Sequence, residues 1–179
     1  NIAVYNLEKD QINIPDSTGV FGQLGNQRSR GIELDMSARP FENVLATLSY
    51  AYTDAELTEF REGVQTQAGT VVVDRSGNTA AFTPEHILNF WTTKAFRNGF
   101  GFGLGSRYVG KQFIAADNVF EIDGYFLLNA AIFYKKSGWR WNVNFNNITN
   151  QDYETRGFLG SSVIPANPFT VYSTFEISL

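Results

Sequence analysis

Connections of two lengths alternate along this chain, and that regularity constrains its fold more than any single residue does. The short ones are Arg39-Pro-Phe-Glu-Asn43, Arg97-Asn-Gly99 and Lys135-Lys-Ser-Gly138. The long ones are polar and cover residues 8–19, 58–84, 115–123 and 149–168. Between them lie period-two patterns, apolar on one side of a strand and polar on the other. Ile32, Leu34, Met36 and Ala38 oppose Gly31, Glu33, Asp35 and Ser37. Val44, Ala46, Leu48, Tyr50 and Tyr52 oppose Thr47, Ser49, Ala51 and Thr53. Phe100, Phe102, Leu104 and Tyr108 oppose Gly101, Gly103, Gly105 and Arg107. Phe126, Leu128, Ala130, Ile132 and Tyr134 oppose a mixed face with Asn129 and Ala131. Trp139, Trp141, Val143 and Phe145 oppose Arg140, Asn142, Asn144 and Asn146. Phe169, Val171, Phe175, Ile177 and Leu179 oppose Thr170, Tyr172, Thr174, Glu176 and Ser178. Residues 87–96 fit either register, since Leu88, Phe90 and Phe96 compete with Ile87, Trp91 and Ala95. Residues 1–7 make one more candidate strand.

A soluble sandwich gains nothing by sorting its loops by length. A barrel in a bacterial outer membrane is built that way, with short periplasmic turns and long extracellular loops. With the carboxyl end in the periplasm, the short turns fall there and the long stretches fall outside. Asn98-Gly99 predicts a primed hairpin turn, and Pro40 and Asn43 are turn formers.

Composition agrees. No run in the 179 residues approaches the ~20 apolar residues that a membrane helix needs. A barrel strand crosses with only about 9–11 alternating residues. Aromatic residues reach 15%, with 16 Phe and 8 Tyr. Phe41, Phe96, Phe100, Tyr134 and Trp139 sit by the short turns, and Tyr50, Tyr52 and Tyr108 nearer the long loops. That placement fits the two interfacial girdles of a barrel, although aromatic residues also favour strands generally. The chain has no cysteine, which removes disulfides and thiolate chemistry. Its net charge of -4 argues against nucleic acid as a partner. It shows no signal peptide and opens within a strand pattern, which reads as a fragment.

No motif points to an enzyme. Gly101-Phe-Gly-Leu-Gly105 lies inside a strand pattern with no helix after it, so it is not a nucleotide loop. Its alternate glycines leave one face bare, either to open a barrel lumen or to let a neighbouring backbone approach. His86, the single histidine, has no cluster of catalytic or metal-binding partners. Asp54 and Glu56 lie on a loop shoulder without a burying environment. Asn147-Ile-Thr149 matches a glycosylation sequon at a strand end, a chance match in a bacterial protein. The long loops carry Arg61, Arg75, Lys111 and Arg156 beside Phe60, Phe113, Phe120, Tyr153 and Phe158. Basic and aromatic groups around a barrel mouth suit an anionic, partly aromatic ligand. Each of them taken singly also reads as a solvated loop side chain.

Several segments resemble the carboxyl-terminal part of the TonB-dependent receptors. Arg28-Ser-Arg-Gly-Ile-Glu-Leu34 is similar to that family's arginine-glycine-hydrophobic-glutamate segment. Leu48-Ser-Tyr-Ala-Tyr-Thr-Asp-Ala55 and Thr83-Pro-Glu-His-Ile-Leu-Asn-Phe-Trp91 follow in the family's order. Gly105-Ser-Arg-Tyr-Val-Gly110 and Trp139-Arg-Trp-Asn-Val-Asn-Phe-Asn-Asn-Ile148, with Tyr153 after it, match best. The resemblance implies a plugged barrel of about 22 strands that imports iron–siderophore complexes. TonB would supply the energy through an amino-terminal region, the barrel assembly machinery would insert it, and outer-membrane lipid would surround it. The cargo is then a ferric siderophore and no cofactor is implied. Two departures stand out: the plug and TonB-contacting box are absent from these residues, and Leu179 stands where the family usually has an aromatic.

The expected fold is therefore all-β: a transmembrane antiparallel β-barrel, with residues 1–179 as seven or eight carboxyl-terminal strands of a larger barrel. The expected function is outer-membrane transport of iron–siderophore complexes, with no enzyme activity. The candidate ligand residues are Phe60, Arg61, Arg75, Phe113, Phe120, Tyr153, Arg156 and Phe158. The rivals are a complete eight-stranded structural or adhesive barrel, a receptor of the same family for vitamin B12 or carbohydrate, and a soluble β protein binding a small ligand.

Overall fold

The computed structural model describes residues 1–15, 21–158 and 162–178. In chain order the strands are β1 (Ile2–Pro15), β2 (Phe21–Ala38), β3 (Val44–Glu59), β4 (Arg61–Thr66), β5 (Gly69–Asp74), β6 (His86–Ala95), β7 (Phe100–Val109), β8 (Gln112–Phe113), β9 (Glu121–Ile122), β10 (Tyr125–Lys136), β11 (Trp139–Asn146), β12 (Glu154–Phe158), β13 (Ser162–Pro165) and β14 (Thr170–Ile177). Eight of these form one antiparallel sheet in the order β1-β2-β3-β6-β7-β10-β11-β14, so each pairs with the next along the chain. The other six make three two-stranded ribbons, β4-β5, β8-β9 and β12-β13, one in each of three long connections. Among the described residues the main sheet is open, with β1 and β14 as its unpaired edges. These strands do not build the complete eight-stranded barrel of the rival reading. Leu179, expected at the end of the last strand pattern, lies outside the described residues.

The first long connection differs from expectation. β1 runs on through Pro15 and β2 begins at Phe21, so most of residues 8–19 is paired strand, with Glu8 opposite Arg28 and Lys9 opposite Gln27. A bulge follows Lys9, where Gln11 takes a φ of 56°. Glu8, Lys9, Asp10 and Gln11 put polar side chains on both faces and looked like a loop, but a ladder with exposed side chains needs no apolar face. Residues 16–20 lie outside the described residues. β2 has 18 residues and β3 has 16, well beyond the ~9–11 that cross a bilayer.

Register confirms the two faces. Met36, Leu48, Phe90 and Ser106 follow one another across β2, β3, β6 and β7. Phe102, Ile132, Val143 and Ser173 do the same across β7, β10, β11 and β14. β6 resolves in favour of Leu88, Phe90 and Phe96, because Leu88 pairs with Tyr50 and Trp91 falls opposite Gly105 on the other face. The apolar face is exposed through Phe102, Leu104, Ile132 and Phe175. The buried apolar side chains are few and mostly lie near the loops, as in Ala55, Leu57, Ala80, Val109 and Ile114.

At the short turns, rings on this face touch in a chain: Phe100 and Tyr134 at 4.4 Å, Tyr134 and Trp139 at 5.1 Å, Trp139 and Phe175 at 5.6 Å. At the other end His86 begins β6 and packs on Tyr50 and Tyr52, with its Nδ1 2.9 Å from the Tyr50 hydroxyl. Two aromatic bands thus flank the apolar strip.

Two expectations about glycine change. Asn98 does not take the positive φ of a primed two-residue turn. Gly99 alone does, at 93°, and its N–H donates to the Phe96 carbonyl at 3.1 Å. This is a type I turn closed by a left-handed residue. The glycines of β7 do not leave an empty wall. The Trp91 ring lies over Gly103 and Gly105, and Phe133 lies over Gly101. A Cβ on Gly103 would stand 2.6 Å from Trp91 Cζ2, and one on Gly105 would overlap the same ring.

Candidate functional site

The candidate site is the loop edge of the sheet, above the polar face. The connection after β3 folds back on that strand. Gly77 N–H donates to the Leu57 carbonyl at 2.7 Å, Leu57 N–H to the Asn78 carbonyl at 2.8 Å, and Ala80 N–H to the Ala55 carbonyl at 2.9 Å. This buries Ala55, Leu57 and Ala80, and Phe60 and Ala116 pack against them.

Asn118 fastens the connection after β7 to the one after β3. Its side-chain oxygen accepts from Thr79 N–H at 2.8 Å, and its amide donates to the Thr79 carbonyl at 2.9 Å. Asn78 donates to the Ala116 carbonyl at 2.7 Å, and Phe82 N–H to the Phe113 carbonyl at 2.8 Å. The third connection leans on the second. The Gln112 amide donates to the Thr155 carbonyl at 3.4 Å, and a Cβ on Gly157 would stand 2.8 Å from Ile114 Cγ2.

The structure therefore gathers the expected ligand residues on joined loops, but on different parts of them. Phe60 is packing for the loop base. Phe113 lines a cleft of about 360 Å³ with His86, Tyr108, Lys111, Gln112 and Glu121. The Phe120 carbonyl accepts from Ile114 N–H at 3.2 Å, which closes the second connection. Arg156 and Phe158 are exposed on β12.

The basic residues are mostly occupied. Arg61 Nε lies 3.9 Å from Asp74, and Arg75 Nε donates to Glu62 at 3.1 Å. Lys111 Nζ lies 3.0 Å from Glu121. The ribbon dictates the first pair, since Arg61 and Asp74 are register partners. Hydrogen bonds from the Ser76 side chain and backbone hold the Asp74 carboxyl below its usual range, with the Arg61 charge adding least. Among the described residues Arg156 is the one cation of these three loops outside an ion pair.

Tyr153 sits where the third connection returns over the polar face. Its ring packs on Tyr125 at 4.5 Å and against the cluster of Val109, Tyr125 and Leu127. Burial, and secondarily the Tyr125 hydroxyl, push its phenol above the usual value, while Arg107 opposes the shift. Beside it lies a cleft of about 240 Å³ lined by Leu127, Asn129, Asn146, Asn147 and Tyr172.

Asn147 was not expected to matter. It is 2% exposed, so it is no glycosylation acceptor. Its amide donates to the carbonyls of Gln151 at 2.9 Å and Asn167 at 3.3 Å, and its oxygen accepts from Gln151 N–H at 2.9 Å. Its backbone N–H donates to Asn129 at 2.9 Å, and its φ is 52°. One side chain thus ties both legs of the third connection to the sheet. The sequence signal was an asparagine directly after a strand, a residue that tolerates left-handed backbone. Among the described residues no His, Asp and Glu cluster could hold a metal ion.

The match to known proteins decides the class. Residues 1–148 fit the family described as TonB dependent receptor-like, beta-barrel. The chain belongs to the TonB-dependent receptors. These are outer-membrane β-barrels of Gram-negative bacteria, and the family consists of transport receptors, not enzymes. This segment is 29% identical over 162 residues to the ferrichrome outer membrane transporter/phage receptor of Escherichia coli K12, covering 84% of this chain and 20% of that protein. It is 23% identical over 159 residues to the ferrioxamine receptor of Yersinia enterocolitica, covering 84% and 21%. The solved siderophore receptor PiuA of Acinetobacter baumannii superposes with a TM-score of 0.80 at 20% identity, over 97% of this chain and 25% of that one. The TonB-dependent receptor segment thus spans about a fifth of the curated relatives it matches.

Proposed function

We propose that this chain supplies the carboxyl-terminal strands of a receptor that imports a ferric siderophore across the outer membrane, energised through TonB. The observation that carries the reading is the joining of three long connections into one body above the polar face of a family barrel sheet. The names of the ferrichrome and ferrioxamine relatives support the cargo. In this reading the face with Phe102, Leu104 and Ile132 meets lipid, and the face with Glu33, Asn89, Asn129 and Asn144 lines the lumen. The barrel has about 22 strands, and the rest of the receptor brings the plug and the TonB-contacting segment. Closure matters because an unpaired edge in hydrocarbon costs several kcal/mol per polar group. Arg61, Arg75, Phe113, Phe120, Arg156 and Phe158 form this chain's share of the mouth, with Phe60 packed at its base and Tyr153 on the wall below it. Transport moves the chelate without covalent chemistry. The test is growth of an iron-starved strain lacking its own siderophore receptors. The full-length receptor is expected to restore growth with at least one ferric siderophore, and only when TonB is present. Growth restored by none, or by the segment alone, overturns the reading.

A further inference from the structure

We infer that the mouth built by these loops selects an uncharged or cationic ferric chelate and turns away a polyanionic one. The inference rests on the siderophore-uptake reading and names the ligand class within it. Residues 60–85, 110–124 and 149–168 hold four basic and eight acidic side chains, a net of -4 that equals the net charge of the whole chain. Three of the four cations are already paired, Arg61 with Asp74, Arg75 with Glu62 and Lys111 with Glu121. Ion pairs at these distances leave little net field for a third, incoming charge. What remains is Arg156 against Glu85, Asp117, Asp123, Asp152 and Glu154, none of which has an ion-pair partner among the described residues.

The wall below the mouth points the same way, and independently. Around Tyr153 it offers neutral hydrogen-bonding groups: Asn129, Asn146 and Tyr172 line the cleft, and Tyr125 stacks on Tyr153. The nearby cation, Arg107, donates to the Asn89 side chain at 3.3 Å. Amides and phenols recognise carbonyl and amide groups at the rim of a chelate without demanding charge. Three hydroxamates, each with one negative charge, neutralise ferric iron. Three catecholates, each with two, leave a trianion. A negative mouth lowers the local concentration of the trianion and slows its capture, and this effect weakens as salt rises. The sign is opposite to the one expected from the sequence, where the basic residues were counted without their partners.

The experiment measures uptake of radioactive iron by the full-length receptor in a strain without other siderophore receptors. It supplies in parallel ferrichrome, a neutral tris-hydroxamate, and ferric enterobactin, a trianionic tris-catecholate. The expected result is uptake of the hydroxamate and at least about tenfold less of the catecholate, within the range of electrostatic steering. A receptor carrying Asp123→Lys and Asp152→Lys is expected to capture the catecholate about tenfold better in low salt, with the gain shrinking in high salt. Uptake of the catecholate in preference to the hydroxamate overturns the inference and leaves the uptake reading standing. A double variant indifferent to salt also overturns it. Uptake of no ferric chelate removes the uptake reading itself.

Discussion

Replacing Asn147 by alanine is expected to loosen residues 150–168 while leaving the strands of the sheet intact. The substitution removes one acceptor and one donor group at a site that is 2% exposed. Gln151 N–H loses the oxygen 2.9 Å away, and the carbonyls of Gln151 and Asn167 lose a shared donor. A buried N–H left unpaired costs about 1–3 kcal/mol. The two carbonyls cost less, since Asn167 is exposed and water can reach it. Alanine must also hold a φ of 52°, which adds roughly 1 kcal/mol for a residue with a Cβ. The sum is about 3 kcal/mol, or on the order of a hundredfold in the opening constant of this segment. Asn147→Gly separates the two parts, because glycine accepts the backbone without strain. It is expected to fall about 1 kcal/mol short of the alanine effect. The assay is amide hydrogen exchange on the full-length receptor in detergent, with peptides from 150–168 compared with peptides from β3 and β6. Unchanged protection of 150–168 in the alanine variant, or an equal loss in β3 and β6, would refute the idea that one side chain holds this connection.

Gly105→Leu is expected to lower the folded fraction severalfold on unheated SDS gels, because the new side chain meets the Trp91 ring, and a second change, Trp91→Ala, is expected to restore it; a Gly105→Leu receptor that folds like the parent shows that the ring does not cover this strand. Spin labels at Leu104 and Leu128 are expected to be reached by oxygen and shielded from a water-soluble relaxant, with the reverse at Asn129 and Asn144; the opposite result inverts the faces. Epitope tags beside Gly69 are expected to label on intact cells and a tag at Asn98 only after permeabilisation, so surface labelling at Asn98 would turn the topology over. Asp74 gives a pH test with a definite sign: its native carboxyl titrates below the ordinary 3.8, so its support for the β4-β5 ribbon is present above 3.8 and is lost as pH falls through the lower native value. Exchange protection of that ribbon should fall over this acid range in the parent and stay flat in Asp74→Asn.

The strands were legible because lipid, lumen and water impose a local code. Each side chain answers to its own face, so Leu104 and Ile132 declare their orientation without reference to a partner. The ambiguous strand shows where that code ends. Residues 87–96 are apolar on both sides, and only pairing, Leu88 with Tyr50 and Trp91 with Gly105, chooses between the registers. Trp91 belongs to the polar face because the glycines of the next strand leave a flat bed for its ring. The tryptophan and the bare glycines were both visible in the sequence. Their fit to one another was not, since it depends on register.

The mouth depended still more on distant partners. Asn118 and Thr79 are 39 residues apart, and nothing near either one announces the other. Arg75 and Glu62 are 13 residues apart and meet only because a ribbon turns between them. A list of basic and aromatic loop residues therefore named side chains that the structure carries on joined loops, but missed that Arg61, Arg75 and Lys111 already have acidic partners. Charge at a loop surface is a property of pairs, and composition counts single residues. The same logic explains the first connection, where the polar residues after Leu7 were read as loop and form a ladder with β2. A strand in water lacks an apolar stripe, so its signal is carried by main-chain pairing with its neighbour. Beyond the alternating apolar strip, structure passes from single residues to pairs, and the joined loops lie on that side.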